Sequence, residues 1–276
     1  MQKSDLRGFY INLDRSVDRR LSMEQGLARS GLDRSVARFA AREGDDRKAG
    51  ISVSELGCFL SHQDIIRSIT DDRPTLVLED DLHFPAQFAR YLDIVLSDCM
   101  DFEWDILFLN QMISFADTLA VYKMITRKRG LGDIYSDTFS AFSIEECKGV
   151  YVSGAGAYLI RPGSAAKVAD ILDRAAGANY PKPLDIVYLL AIEADLLKAK
   201  FAFPYLLGID SRHETTILNR EGCANAPMLN DILNLFVAGG DMDQLKLRAS
   251  DAWNETSFDL DAHIASQLIY RRMARR

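Results

Sequence analysis

Short apolar segments alternate along this chain with amphipathic stretches of about 12 to 18 residues. This alternation is typical of an α/β domain in which helices cover a mainly parallel sheet. A chain of 276 residues, 48% of them hydrophobic, is long enough to bury such a core. The predicted strands cover residues 8–13, 75–78, 105–109, 150–160 and 201–208, and the predicted helices begin near Ser16, Ser52, Pro85, Ser164 and Asp185.

Two regions interrupt this alternation. Residues 111–147 show weak periodicity around a basic run at 127–130, and we expect a long excursion or a mobile lid there. From about residue 220 the pattern becomes helical. The sequence therefore predicts a main domain over residues 1–219 and a helical C-terminal appendage over residues 220–276.

The composition excludes several classes of protein. The chain has 33 basic and 40 acidic residues, a net charge of −7, which argues against a general nucleic-acid binder. The N-terminal residues lack the apolar core of a signal peptide, and the apolar runs are too short to span a bilayer. Cys58, Cys99, Cys147 and Cys223 lie far apart with no C-x-x-C pair, which predicts core thiols in the cytoplasm and neither a zinc site nor a disulfide framework.

Three acids, Glu79, Asp80 and Asp81, directly follow the apolar run at 76–78. In open α/β sheets, ligands bind beyond the carboxyl ends of the strands. Three adjacent carboxylates repel one another unless a positive group lies among them. Glu79 and Asp81 point to one side if the strand continues, which suits a hard divalent cation. An acidic turn that merely faces water is the alternative.

Two further segments surround this predicted site. Residues 12–20 place several arginines at a strand-to-helix junction, where phosphate could bind, although an exposed basic helix face would have the same sequence. Residues 153–157 are small, with Gly154 and Gly156 in a strand. Small residues there allow either close approach of a ligand or tight packing of the backbone.

The segments FYINLDRSVDRR, SELGCFLSH, LVLEDDL, SGAGAYLIRPGSAAKV and PLDIVY occur in an order and spacing that resemble glycosyltransferase family 25. This family includes bacterial lipooligosaccharide galactosyltransferases and collagen galactosyltransferases, and the resemblance covers about residues 7–217. It implies a GT-A type, Rossmann-like fold, a UDP-sugar donor (usually UDP-galactose) and inversion at the anomeric carbon. It also implies a saccharide acceptor such as the lipopolysaccharide core, and Mn²⁺ or Mg²⁺ at Glu79, Asp80 and Asp81.

The resemblance also implies roles for individual residues. The nucleotide pocket would be lined by Asn12, Leu13 and Arg15, with Arg19 or Arg20 near it. Gly154 and Gly156 would lie close to the donor. Glu55, Ser61 and His62 fall in the segment that borders the sugar, although Glu55 has the spacing of a capping-box partner of Ser52. His213 is a looser candidate for a metal ligand and could equally be a surface histidine.

The resemblance matches Asp185 to the family's acid in the P-x-D segment, and we predict that this residue is the general base. His62 is the alternative base, because its ordinary pKa suits proton transfer, although it could instead be a core or sugar-contacting residue. A structural role for Asp185 is also open, since an acid in the first turn of a helix caps free N–H groups. The helix dipole would then lower the pKa of this carboxylate and keep it ionised at neutral pH.

Two other functions remain open. A metal-dependent phosphohydrolase would need a nucleophilic aspartate on the first strand, which residues 12–14 do not supply. A catalytically silent nucleotide-binding or interaction protein is the second alternative. The ending IASQLIYRRMARR is basic and amphipathic, so it either contacts an anionic membrane that carries a lipid-linked acceptor or is an exposed helix end. Co-sedimentation with liposomes, compared with a chain ending at Tyr270, distinguishes these two roles.

Overall fold

The computed structural model describes residues 5–45, 50–111, 142–151, 153–177, 179–180, 182–210, 234 and 237–239. The strands are β1 (Arg7–Asn12), β2 (Val36–Ala40), β3 (Thr75–Glu79), β4 (Leu82–His83), β5 (Ile106–Phe108), β6 (Ser143–Glu146), β7 (Ala157–Ile160), β8 (Ala199–Phe203) and β9 (Gly208–Ile209). The helices are α1 (Val17–Arg29), α2 (Val53–Arg67), α3 (Phe88–Asp98), α4 (Ala165–Ala176) and α5 (Leu184–Glu193).

The main sheet of the described residues has seven strands in the order β2-β1-β3-β7-β5-β8-β6. Parallel pairing joins β1 to both β2 and β3, and β5 to β8. Strand β7 runs antiparallel between β3 and β5, and β6 is antiparallel to β8 at the edge. The predicted α/β class with a mainly parallel sheet is therefore confirmed, with two reversed strands that make the sheet mixed.

Helices cover both faces of this sheet, as the alternating pattern predicts. Val77 of β3 packs in a core cluster with residues of α2, α4 and α5, whereas Leu76 and Leu78 pack in a second cluster with residues of α1 and α3. Successive side chains of a strand point to opposite faces, so a strand covered on both sides needs apolar residues throughout. The apolar run at residues 76–78 within β3 satisfies this requirement, and it ends at the acidic side chain of Glu79.

Several predicted boundaries change. The segment predicted as one strand over residues 150–160 is a strand only from residue 157, because Gly154, with a φ of 95°, lies in a turn before it. The strand predicted over 201–208 divides into β8 and β9. Strands β2 and β6 are not predicted at all, since their edge positions leave them half exposed. Strand β6 lies inside the predicted excursion, of which residues 112–141 are outside the described residues.

The capping box predicted for α2 is confirmed. The hydroxyl of Ser52 accepts a hydrogen bond from the Glu55 N–H (3.3 Å), and the Glu55 carboxylate accepts one from the Ser52 N–H (2.9 Å). The N-terminus of α2 is thus fixed by its own sequence.

Ser52→Ala is expected to lower the free energy of unfolding by about 1 kcal/mol, because two backbone N–H groups lose the reciprocal cap. Urea denaturation would measure the shift of the midpoint. Ser54→Ala, two residues further into the same helix, is the matched control and should change stability by less than about 0.5 kcal/mol. Equal effects of the two substitutions would contradict a special role for the cap.

Most of the predicted appendage, the basic C-terminal segment and His213 lie outside the described residues. Within residues 220–276, the side chain of Asn234 pairs with the backbone of Ile209 through bonds of 2.8 and 2.9 Å. The Ala238 N–H donates to the carbonyl of Tyr205. No helix in the part of the chain that the structure describes is both long enough and apolar enough to cross a membrane.

Candidate functional site

A cleft of about 200 Å³ opens where β1 and β3 end and α2 begins. Strands β1 and β3 are parallel neighbours, with Ile11 paired to Glu79, so the residues that follow both strands meet at this edge. One part of the lining is acidic and consists of Glu79, Asp80 and Asp81; another is basic and consists of Arg15, Arg19 and Arg42. The cleft therefore combines a concentrated negative charge with donors suited to an anion.

Asp80 is held by side chains of β1 and α1. The Asn12 amide donates to one carboxylate oxygen at 2.6 Å, and the Arg19 guanidinium donates to the other at 3.0 Å. The Asn12 amide oxygen in turn accepts a hydrogen bond of 3.0 Å from Arg38 on β2. Both oxygens of Asp80 are thus engaged, and Arg19 supplies the positive charge that reduces repulsion among the three acids.

Glu79 faces α2 and contacts two of its side chains. Its Oε1 lies 3.3 Å from Nε2 of His62 and 3.7 Å from Sγ of Cys58. The other ring nitrogen of His62 lies 2.7 Å from the hydroxyl of Tyr158. Burial acts to raise the pKa of Glu79, but the contacts with His62 and Cys58 outweigh it and lower the pKa, so Glu79 remains charged.

Asp81 differs from its two neighbours because it holds an unpaired acceptor. Its Oδ1 is buried and has no hydrogen-bond partner among the described residues. Burial, and then the charge of Glu79, raise the pKa of Asp81 to about 7. A buried anionic oxygen without a partner costs free energy, and a bound cation would remove this cost. The oxygen-rich donor set around Asp81 therefore fits a hard divalent ion such as Mn²⁺ or Mg²⁺.

Asp185 is the second residue of α5, and its Oδ1 accepts a hydrogen bond of 2.9 Å from the Ile186 N–H. Its place in the first turn is as predicted, but the predicted lowering of its pKa is wrong. Burial raises the pKa of Asp185, and the negative charge of Glu79 adds to this, so that the backbone N–H groups of Ile186 and Gly154 only partly compensate. Asp185 is accordingly a stronger base than its helix position suggests.

The structure brings some of the predicted residues into the cleft and gives others structural contacts. Leu13, Arg15, Arg19, Ser61 and His62 line the cleft together with the three acids. The predicted site residues that are not part of this lining are Asn12, Glu55, Gly154, Gly156 and Asp185.

Three of these five have contacts that explain their position. Asn12 is fully buried and holds Asp80, and Glu55 holds the N-terminus of α2. The carbonyl of Gly156 accepts a hydrogen bond of 2.7 Å from the Glu79 N–H, which ties the turn before β7 to the end of β3. Their influence on the cleft is therefore indirect, through the acids or through α2.

Sequence reasoning missed Arg38, Tyr158 and Cys58. Cys99 and Cys147 are buried, as expected of core thiols, whereas Cys58 is only partly buried and lies in the cleft wall. Cys58 also packs against the core, so the prediction of a core thiol holds for it only in part. The signal that could have identified it is its spacing of four residues from His62, because residues at i and i+4 share one face of a helix.

Comparisons with known proteins show which family the chain resembles. Residues 43–187, which are 145 of the 276 residues, match the family model described as glycosyltransferase family 25 (LPS biosynthesis protein). A glycosyltransferase 25 family member from Aedes aegypti is 31% identical over 127 residues, which cover 37% of this chain and 21% of that protein. Procollagen galactosyltransferase 1 from Danio rerio is 35% identical over 65 residues, 22% of this chain and 11% of that protein. The chain thus matches only about a fifth or less of these relatives' length.

Proposed function

Because the chain belongs to glycosyltransferase family 25, we propose that it transfers galactose from UDP-galactose to a saccharide hydroxyl, with inversion, on a GT-A type fold. The observation that carries this proposal is the unpaired, buried Oδ1 of Asp81 in a cleft that arginines also line. The name of the Danio rerio relative supports galactose as the sugar. The description of the family supports a lipopolysaccharide-type acceptor.

In this proposal, Asp81 and Glu79 hold a Mn²⁺ or Mg²⁺ ion. When bound, the ion would act as a Lewis acid that neutralises charge on the departing diphosphate. Asp80 does not need to be a ligand, because Asn12 and Arg19 already engage both of its oxygens. Its role is to fix the loop that follows β3, so that Asp81 projects into the cleft.

The arginines of the cleft are suited to the donor phosphates. A guanidinium presents paired N–H donors that match phosphate oxygens. Arg15 currently pairs with Glu43, but 65% of the Arg15 side chain is exposed, and such surface pairs contribute little free energy. Arg15 is therefore free to exchange this carboxylate for a phosphate, whereas Arg19 is held in place by Asp80.

Asp185 is proposed as the general base that takes the proton of the acceptor hydroxyl as the new glycosidic bond forms. Its raised pKa improves its basicity, and the charge of Glu79 reaches it. The alternative base, His62, is fully buried, and its two ring nitrogens face Tyr158 and Glu79. An imidazole with both nitrogens engaged is less available to an acceptor, which favours Asp185.

A thermal-shift screen of UDP-, GDP-, CMP- and dTDP-sugars with Mn²⁺ tests the proposal. UDP-galactose is expected to raise the melting temperature most, because it is the proposed donor. A ligand at a hundred times its Kd stabilises the native state by about 2.7 kcal/mol. The same sample should release UDP when a saccharide acceptor is added. Absence of stabilisation by every nucleotide sugar would contradict the proposal.

Two further results would favour the alternatives. Tight binding of UDP-galactose without turnover would indicate a catalytically silent protein on a glycosyltransferase fold. Release of phosphate from simple monoesters would indicate a phosphohydrolase. Strand β1 ends in the amide of Asn12 and not in a nucleophilic carboxylate, which argues against a phosphohydrolase.

A further inference from the structure

We propose that Cys58, His62 and Glu79 form a second cation site, which binds a thiophilic divalent ion of the zinc class. The site is separate from the unpaired oxygen of Asp81 but shares Glu79 with it. This inference goes beyond the proposed sugar transfer and does not depend on it, since it concerns metal binding by the chain alone.

The three side chains converge because of how α2 and β3 are placed. Cys58 and His62 are four residues apart on α2, so both project from one face of the helix, one turn apart. Glu79 ends β3 directly opposite that face. The thiol sulfur, a ring nitrogen of His62 and a carboxylate oxygen all lie within 4.8 Å of one another.

The measured separations fit tetrahedral coordination. Bonds of about 2.0–2.3 Å to a central zinc ion separate sulfur, nitrogen and oxygen ligands by about 3.4–3.6 Å. The observed separations are 3.3 Å between Nε2 and Oε1 and 3.7 Å between Sγ and Oε1. Two of the three separations are thus close to the edges of a coordination tetrahedron, and the third, between Sγ and Nε2, is within 4.8 Å.

The surroundings of His62 also fit a metal ligand. Metal-binding histidines usually hydrogen-bond through the second ring nitrogen, which fixes the ring. Here Nδ1 of His62 lies 2.7 Å from the hydroxyl of Tyr158, and the ring is fully buried. On metal binding, Nδ1–H would donate to that hydroxyl, and Nε2 would exchange its contact with Glu79 for a bond to the ion. The three residues line the cleft, which provides a path of entry and an open fourth position.

The chemistry of the ligands determines which ion they prefer. Thiolate and imidazole favour zinc and cobalt, whereas carboxylates alone favour magnesium and manganese. On binding, the S–H bond of Cys58 breaks, its proton leaves to solvent, and a metal–sulfur bond forms. Because Glu79 belongs to both sites, zinc bound here would compete with Mn²⁺ for that carboxylate.

Cobalt(II) titration of the full, metal-free chain tests the site. The wild type is expected to develop the near-ultraviolet charge-transfer band of a cobalt–thiolate bond and the visible bands of tetrahedral cobalt, and one equivalent of Zn²⁺ should abolish both. Cys58→Ser should lose the charge-transfer band and weaken zinc affinity about tenfold or more. Cys99→Ala, which removes a buried thiol elsewhere in the core, should retain the band.

X-ray absorption at the zinc edge of the wild type tests the same site without any substitution. One sulfur at about 2.3 Å and nitrogen or oxygen ligands at about 2.0–2.1 Å are expected. A zinc shell without sulfur would overturn the proposal, as would a cobalt–thiolate band that persists in a folded Cys58→Ser protein. Neither result would bear on sugar transfer, whose failure would appear only in the donor screen.

Discussion

Asp185→Asn is expected to reduce kcat by about a hundredfold or more, while the protein stays folded and binds UDP normally. The asparagine oxygen can still accept the hydrogen bond from the Ile186 N–H, so the first turn of α5 keeps its contact. The amide cannot accept a proton from the acceptor hydroxyl. Single-turnover kinetics with saturating donor would separate loss of the chemical step from loss of binding.

The pH profile provides a second measurement of the same role. Burial raises the pKa of Asp185, and only the ionised form can act as base. The wild-type rate should therefore fall as pH is lowered through this pKa, which lies above that of an ordinary aspartate. The residual activity of Asp185→Asn should lack that dependence.

Asp18→Asn is the matched control, because Asp18 is also the second residue of a helix but is exposed on α1. It should leave turnover within about twofold, as surface substitutions usually do. Asp185→Asn turnover within a few-fold of wild type would remove Asp185 from the mechanism and make His62 the leading candidate for the base.

Asp81→Asn is expected to abolish Mn²⁺-dependent binding of UDP-galactose and to lower kcat/KM by about a hundredfold or more. The reason is that Oδ1 of Asp81 is buried without a hydrogen-bond partner among the described residues, and an amide oxygen binds a cation less strongly than a carboxylate. Calorimetry with and without Mn²⁺ measures the effect, and wild-type protein in EDTA should show the same loss. Full wild-type activity in the chelator would contradict a metal requirement.

Asp80→Asn is the neighbouring comparison and should weaken metal-dependent donor binding far less. Both Asp80 oxygens are already occupied by Asn12 and Arg19, so its substitution disturbs a structural contact instead of a cation ligand. Equal loss of Mn²⁺-dependent binding in the two variants would indicate that only the total negative charge of the acids matters, and not the contacts of each acid.

Asp81→Asn should raise the free energy of unfolding of the metal-free protein at neutral pH, although it lowers activity. The pKa of Asp81 is about 7 in the folded chain, against about 3.9 for an unfolded aspartate. Between these values the native state holds more protons than the unfolded state, so the free energy of unfolding falls as pH rises from about 4 to about 7. Without metal, Asp81→Asn should therefore be more stable than wild type by roughly 1–3 kcal/mol at pH 7, with no gain at pH 4. A loss of stability at pH 7 would refute this.

Sequence alone predicts the parts of the fold that are buried on both faces. The apolar run of β3 and the capping box of α2 can each be identified from a short stretch of sequence. Strands β2 and β6 escape prediction because an edge strand needs neither an apolar run nor strict alternation. The reversal of β7 also cannot be read locally, because strand direction depends on pairing with β3, some eighty residues away.

For the candidate site, the position of the acids at the end of β3 follows from the general placement of ligands in α/β sheets. Asp185, which is not part of the cleft lining, stays a prediction from the family resemblance. The different environments of Glu79, Asp80 and Asp81 cannot be predicted from the sequence, because each environment is set by contacts with residues distant in sequence. Asp80 depends on Asn12, and Asn12 on Arg38, a residue of the unpredicted strand β2.

The different contacts of Asp80 and Asp81 have an evolutionary consequence. Asp80 joins the end of β3 to β1 and α1, so its loss would harm the fold whether or not the protein is active. Asp81 has a buried oxygen without a partner among the described residues, which costs the metal-free fold free energy, so selection for folding would not preserve it and the proposed ion binding would. In a lineage that no longer transfers sugar, selection for folding alone would retain Asp80 and let Asp81 drift to a neutral residue. Descendants with Asp80 but without Asp81 would therefore mark where the activity has been lost.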